Sequence, residues 1–449
     1  MTDTLSTTDT SVTADPAATT GAPGLDLVEL SRPNLSPTLA RYFQRSWAYG
    51  EGHRLYDTDG RAYLDFACGI AVTILGHRHP RVTAAIRDQA ERLVHICNGL
   101  GYVEPVARLA SGIAATMPAP LDTVFFSNSG SEAVEGAIKL ARRVTGRPAV
   151  IAFDTAFHGR TYGALSATTS NANYRTGHEP LLPQVHVSPF PNVYRDFEGD
   201  ESRATIEALA AFDRLISSEV PAETVAAVLI EPVQGEGGYN PAPLDFLRGL
   251  RERCSRHGIL FICDEVQTGY GRSGRMWAFE APGIVPDVVC LAKGIANGLP
   301  LGAIVSARAL QERWGLGAHG STFGGNPVAC AAGVAVLESI REGDLVENAA
   351  TRGAELKAGL GALMARDERI GDVRGPGLMI GVEFVKDRAT REPDKELADR
   401  VIARCADLGL LLLTCGRTHD TVRWLAPLDV TRDEVDEALD IFDRALASV

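Results

Sequence analysis

The stretch Ile259-Leu-Phe-Ile-Cys-Asp264-Glu265-Val-Gln267 decides the fold. Five apolar residues run without alternation into a carboxylate. A short continuous run of this kind fits a strand buried on both faces. Runs of the same character recur at 123–127, 149–153, 225–230, 259–263, 287–291 and 302–305. Between and after them lie helix-periodic stretches at 131–143, 203–216, 243–256 and 327–340. This alternation predicts a mostly parallel sheet with helices on both faces.

Outward from this centre the character changes. Arg54–Phe66 holds two aromatic-rich runs around Asp59-Gly60, a hairpin signal. Helical patterns follow at about 82–93 and 105–115. Beyond 330 a long helical stretch, Cys330 to about Met364, leads into Val373-Arg-Gly-Pro-Gly-Leu-Met-Ile-Gly-Val-Glu-Phe384, read as strand. A helix is expected at 395–408, strands at 410–414 and 421–425, and a closing helix at 432–448. The pattern divides the chain into a leader at 1–28, an N-terminal segment at 29–75, a large domain at 76–330 and a smaller α/β unit at 331–449; the residues alone do not place the N-terminal segment.

Composition narrows the function. The chain has 449 residues, 45% of them hydrophobic and 22% charged, so disorder throughout is excluded. Its formal charge of −13 comes with no basic block, which argues against a nucleic-acid partner. No run of 18 apolar residues suggests a membrane span. The eight cysteines are scattered without a close pair, unlike a disulfide framework, and no metal-ligand set emerges. Residues 1–24 are rich in Thr, Ser, Ala, Asp and Pro, lack Arg and lack a basic-then-apolar pattern. They read as a floppy leader rather than an export signal, and the expected location is cytoplasmic.

The chemistry-bearing residues sit where the strands end. Ser127-Asn-Ser-Gly130-Ser131-Glu132 leaves a strand and opens a helix, where exposed N–H groups can hold an anion. Phe157-His-Gly-Arg160 offers a ring face and a guanidinium fork. Glu231-Pro-Val-Gln-Gly-Glu236-Gly-Gly places two carboxylates at a strand's carboxyl end. Asp264 closes the most apolar strand, where a carboxylate is costly unless paired. It either keeps a ring nitrogen protonated or ligates magnesium. Lys293 follows five apolar residues, and burial there would lower its pKa and make it an amine nucleophile. Thr322, in His319-Gly-Ser-Thr322-Phe-Gly-Gly-Asn-Pro327, offers a hydroxyl to an anion. Arg423, inside Val422-Arg423-Trp-Leu-Ala-Pro427, calls for a carboxylate partner.

In order and spacing these motifs resemble the class III pyridoxal-phosphate aminotransferases, the omega-aminotransferase group, over roughly residues 30–447. The resemblance implies fold type I: a large domain with a mostly parallel seven-stranded sheet, plus a small α/β domain from both chain ends. It also implies a homodimer with shared active sites, with a dimer of dimers left open. The implied cofactor is pyridoxal 5'-phosphate. Lys293 would be the Schiff-base lysine and proton carrier, Asp264 the partner of the ring nitrogen, Gln267 a neighbour of the ring hydroxyl and Phe157 the stacking ring. Gly130 and Ser131 would hold the phosphate, with Thr322 of the neighbouring subunit. Ile70, Arg160, Glu236 and Arg423 would contact substrate, Arg423 switching between Glu236 and the carboxylate of 2-oxoglutarate or glutamate. Glu231 would be a lesser participant. The implied reaction moves the amino group of an omega-amino acid, foremost 4-aminobutyrate, to 2-oxoglutarate in a ping-pong sequence. Gly99 stands where 4-aminobutyrate-type members carry Gln, so 5-aminovalerate, acetylornithine and ornithine stay open as donors. Amino-acid racemisation is the other enzymatic reading.

Overall fold

The computed structural model describes residues 26–449. The first 25 residues of the expected leader lie outside them, while Leu27 and Val28 open a short helix capped by Asp26. Three strands follow: β1 (Trp47–Glu51), β2 (Arg54–Asp57) and β3 (Ala62–Asp65), joined antiparallel. Asp57 Oδ1 accepts the N–H groups of Asp59 and Arg61, which closes the expected turn at Asp59-Gly60.

The central sheet has seven strands: β4 (Thr123–Ser127), β5 (Ala149–Phe153), β6 (Val185–Ser188), β7 (Val225–Ile230), β8 (Leu260–Asp264), β9 (Val288–Leu291) and β10 (Gly302–Ser306). Their order is β4-β10-β9-β8-β7-β5-β6. Only β10 runs against its neighbours. Successive residues of β5 explain the unbroken apolar pattern. Ile151 and Phe153 join the core on one face, Val150 and Ala152 the core on the other. The helix Gly130–Thr145 covers the second face and ends at Gly146 in the left-handed conformation. The strand β6 has no counterpart among the sequence-predicted strands. It lies at the sheet edge with Val187 exposed, so its residues lack the apolar run that marked the others.

The C-terminal part differs from expectation in three places. The stretch 330–364 is two helices, Pro327–Glu342 and Leu345–Arg366, broken at Gly343 and at Asp344, whose φ is +49°. The stretch 373–384 is a hairpin of β11 (Ile370–Arg374) and β12 (Ile380–Asp387). Gly375 and Gly377, both at positive φ around Pro376, turn the chain. A two-residue strand, β13 (Glu392–Pro393), adds to β12. The strand expected at 410–414 divides into β14 (Leu410–Leu411) and β15 (Leu413–Cys415). The first pairs parallel with β3, and the second joins β16 (Thr421–Trp424) in the sheet β11-β12-β16-β15. The N-terminal hairpin is thereby tied to the C-terminal unit. The helix Arg432–Ala447 closes the chain with a capping box between Thr431 and Glu434.

All eight cysteines are free thiols, seven of them buried. Among the described residues no helix is long and apolar enough to cross a membrane.

Candidate active site

A cavity of about 340 Å³ opens at the carboxyl edge of the parallel strands. Open α/β sheets bind ligands at this edge, because the loops that leave the strands converge there. The loops after β4, β5, β7, β8 and β9 each contribute, and Val72 and residues 298–301 complete the wall.

The loop after β4 forms an anion cradle. Ser129 Oγ accepts the N–H of Glu132 at 3.2 Å and caps the helix. Glu132 turns back to accept the N–H of Asn128 at 2.8 Å. The N–H groups of Gly130 and Ser131 have no carbonyl within the helix to reach and form the positive end of its dipole. A Cβ at Gly130 would stand 3.0 Å from Val266 Cγ1, so any larger residue would crowd the loop after β8. Ser131 Oγ accepts the N–H of Arg160 at 3.2 Å and joins this loop to the one after β5.

Asp264 ends β8, 4% exposed. Its Oδ1 accepts the N–H of Val266 at 3.0 Å, and its Oδ2 lies 2.7 Å from His158 Nδ1. His158 is itself buried, with Nε2 lacking a partner. Sequence alone assigns no role to His158, within Phe157-His-Gly-Arg160. Only the strand order brings it within reach of a residue 106 positions away. Gln267 accepts the hydroxyl of buried Tyr239 at 2.7 Å, another contact the sequence did not signal.

Lys293 lines the cavity after β9 at φ +49°, in the left-handed region. Burial pushes its ammonium below the usual lysine range; Glu236 and Asp264 oppose that shift, and Arg423 adds to it. Glu231 accepts the N–H groups of Phe157 and Gly235, each at 3.3 Å. Burial, reinforced by the nearby Asp264 charge, pushes its carboxyl well above the usual range. Burial would also raise Glu236, but the charge and hydrogen bond of Arg423 bring it below the ordinary value. Arg423 Nη1 pairs with Glu236 Oε1. Arg423 is fully buried, and its Nε and Nη2 have no partner.

The cavity brings together Gly130, Ser131, Phe157, Glu231, Glu236, Asp264, Gln267 and Lys293. Arg423 reaches it through Glu236. Arg160 is exposed, its guanidinium 5.7 Å from the centre of the Phe157 ring and 3.5 Å from that of Tyr174. Ile70 is half-buried at φ +67° and lies outside the residues that line the cavity. Thr322 is exposed and also outside that lining. The residues present fit a flat phosphorylated heteroaromatic aldehyde. The cradle at Gly130 suits its phosphate, and buried Asp264 suits a protonated ring nitrogen. Lys293 supplies an amine for the aldehyde.

An amine nucleophile beside an anion cradle on an open α/β sheet marks a cofactor-dependent transferase. The chain belongs to the class-III aminotransferases, a family whose pattern matches residues 40–446. It is 41% identical over 400 residues to a 4-aminobutyrate aminotransferase of Mycobacterium bovis, covering 88% of this chain and 89% of that enzyme. It is 43% identical over 390 residues to an acetylornithine aminotransferase of Methanopyrus kandleri, covering 87% and 91%. Among solved structures, an amine transaminase from an uncultivated Pseudomonas species, in its PLP-bound form, superposes with a TM-score of 0.85. That protein is 34% identical, and the match covers 92% of this chain and 98% of that one. The fold is the type I fold of pyridoxal-phosphate-dependent transferases, with the expected seven-stranded sheet.

Proposed function

We propose that the chain moves the amino group of an omega-amino acid, 4-aminobutyrate foremost, to 2-oxoglutarate, giving a semialdehyde and glutamate. One observation carries this reading: a fully buried arginine is paired to a cavity carboxylate while two of its donors are unpartnered. A buried guanidinium with spare donors is built to take a second carboxylate. Paired with Glu236, Arg423 is neutralised and leaves room for a donor whose reacting carbon bears no carboxylate. Released, it holds the carboxylate next to the carbonyl of 2-oxoglutarate. The likeness to the acetylornithine enzyme supports acetylornithine as the alternative donor.

Bound pyridoxal 5'-phosphate supplies an aldehyde for the amino group and a ring that takes up the electron pair left when a proton departs. With the cofactor bound, Lys293 Nζ, whose pKa burial lowers, would be the base that takes that proton from the amine-bearing carbon and carries it. Asp264, held by His158 Nδ1, keeps a negative charge against the ring nitrogen. Phe157 would stack on the ring, and Gln267, oriented by Tyr239, would hydrogen-bond near its hydroxyl. Gly130 and Ser131 hold the phosphate together with a second copy's Thr322. Arg160 takes the far carboxylate of the donor, and Ile70 walls the substrate pocket.

The enzyme is a homodimer on this reading. Leu100, Tyr102 and Phe323, all exposed, lie on the two segments that flank Thr322 and support it. The chain divides into a large domain at 76–330 and a small one from 29–75 and 331–449; the β3–β14 pairing supports that division. A cytoplasmic setting suits eight unpaired thiols.

Arg423→Ala tests the reading by single-turnover spectra. The 2-oxoglutarate half-reaction is expected to slow about 100-fold or more, and the omega-amine half-reaction much less, as for loss of one charged buried contact. Equal losses in both halves would contradict it.

A further inference from the structure

Arg374 lies in Val373-Arg374-Gly375-Pro376-Gly377, a stretch with no role in the chemistry above. The strand register gives it one. Arg374 on β11 stands opposite Gly381 on β12, and Gly381 stands opposite Arg423 on β16. The three residues form one row across the sheet, and the loop that carries Glu236 lies over the middle of it. A Cβ at Gly381 would stand 3.0 Å from both Tyr239 Cβ and Thr421 Cγ2 and 3.4 Å from the Gly238 carbonyl oxygen, so this glycine makes room for the loop and for its neighbour on β16. On one side Arg423 pairs with Glu236. On the other, Arg374 donates from Nε and Nη2 to the Gly238 carbonyl at 3.0 and 2.6 Å.

The two arginines differ in what else they hold. Nη1 of Arg374 reaches Asp372 at 3.0 Å and Glu383 at 2.6 Å, so the side chain is anchored within the sheet. Arg423 has one carboxylate partner and two spare buried donors. One arginine is fixed and the other is free to change partner.

We infer that Arg374 is a positioning residue: by gripping the Gly238 carbonyl it holds Glu236 within reach of Arg423, and so governs how readily Arg423 is released to a substrate carboxylate. The inference rests on the reading of Arg423–Glu236 as an exchangeable pair. Weakening the grip would leave Arg423 less well neutralised, which hinders the half-reaction that needs the pair closed.

Arg374→Lys keeps the charge facing Asp372 and Glu383 but loses the two-pronged donor. In the holoenzyme its omega-amine half-reaction is expected to slow about tenfold relative to the 2-oxoglutarate half-reaction, a usual size for coupling between neighbours. Backbone amides of residues 235–240 should exchange with solvent faster. In a Glu236→Ala background, Arg374→Lys should change the ratio no further. Gly381→Ala crowds the same loop without touching a charge and should shift the ratio the same way, which keeps the test open if the lysine variant folds poorly. Equal slowing of both halves, unchanged amide exchange, or the same factor with and without Glu236 would overturn the proposal. If Glu236→Ala alone leaves the ratio untouched, the pair is no switch, and amide exchange still decides whether Arg374 holds the loop.

Discussion

Lys293 and Asp264 each set a charge at the end of an unbroken apolar strand, where it must be satisfied by something. The structure gives Asp264 a histidine and puts Lys293 in the same cavity. What single residues could not reveal was who satisfies whom. His158 and Asp264 are 106 positions apart, and nothing in either motif announces the 2.7 Å contact. Arg423 was legible as needing a carboxylate, but its two spare donors depend on the packing around β16. The decisive single-residue prediction concerns Lys293, whose amine is both nucleophile and proton carrier in the proposed chemistry. Lys293→Ala is expected to lower kcat by at least about 1,000-fold, because a positioned base alone contributes roughly 10²–10⁴. Purified wild-type protein should be yellow with bound cofactor, and the variant should lose the absorbance band that depends on the lysine. Turnover within tenfold of wild type would remove Lys293 from the chemistry.

Elements were legible where burial on both faces or a clear helical stripe wrote itself into the sequence, as in β7 and β8. They were missed where local rules compete. The edge strand β6 has no apolar run to find. The glycines around Pro376 sit inside an otherwise strand-like stretch, and Gly343-Asp344 interrupts what reads as one long helical stretch. The docking of the N-terminal hairpin was implied only by the family resemblance and not by the residues themselves, since it depends on the β3–β14 pairing and on ion pairs between the two chain ends. His53, between β1 and β2, lies 3.0 Å from Asp429 and 2.8 Å from Glu434 in the first turn of the closing helix. Burial alone would lower the pKa of His53, but the two carboxylates push it up to about 9. A raised histidine stabilises the native state fully below its unfolded pKa, near 6.5, and the contribution fades as pH rises through about 9. The pair is therefore worth at most about 3 kcal/mol at pH 6, and that share should vanish by about pH 10. Denaturant unfolding of wild type and His53→Gln at pH 6 and pH 10 checks this. The gap between the two proteins is expected to close at the higher pH, and a gap independent of pH would mean the histidine docks the hairpin by shape alone.

At the scale of the whole molecule, the proposed dimer makes a prediction about Thr322. Leu100 is 78% exposed, Tyr102 fully exposed and Phe323 62% exposed. The two segments that carry them are tied together. Asn98 Nδ2 donates to the Gly324 carbonyl at 2.9 Å, Asn326 Nδ2 donates to the Val94 carbonyl at 3.0 Å, and the His95 and Phe323 rings stand 5.1 Å apart. Thr322 projects from this ordered platform and lies outside the lining of its own chain's cavity. A twofold-symmetric dimer would carry it to the partner's phosphate cradle. Complementation separates this arrangement from one in which Thr322 serves its own subunit. Lys293→Ala and Thr322→Ala each cripple one half of a shared site, the second most clearly at limiting cofactor. After dissociation and mixing in equal amounts, half the dimers carry one subunit of each kind. In each of these, one site has both its lysine and a threonine from across the boundary. Activity should rise to roughly a quarter of wild type, since half the dimers regain one of two sites. If Thr322 acted within its own chain, no mixed dimer would contain a whole site, and mixing would restore nothing.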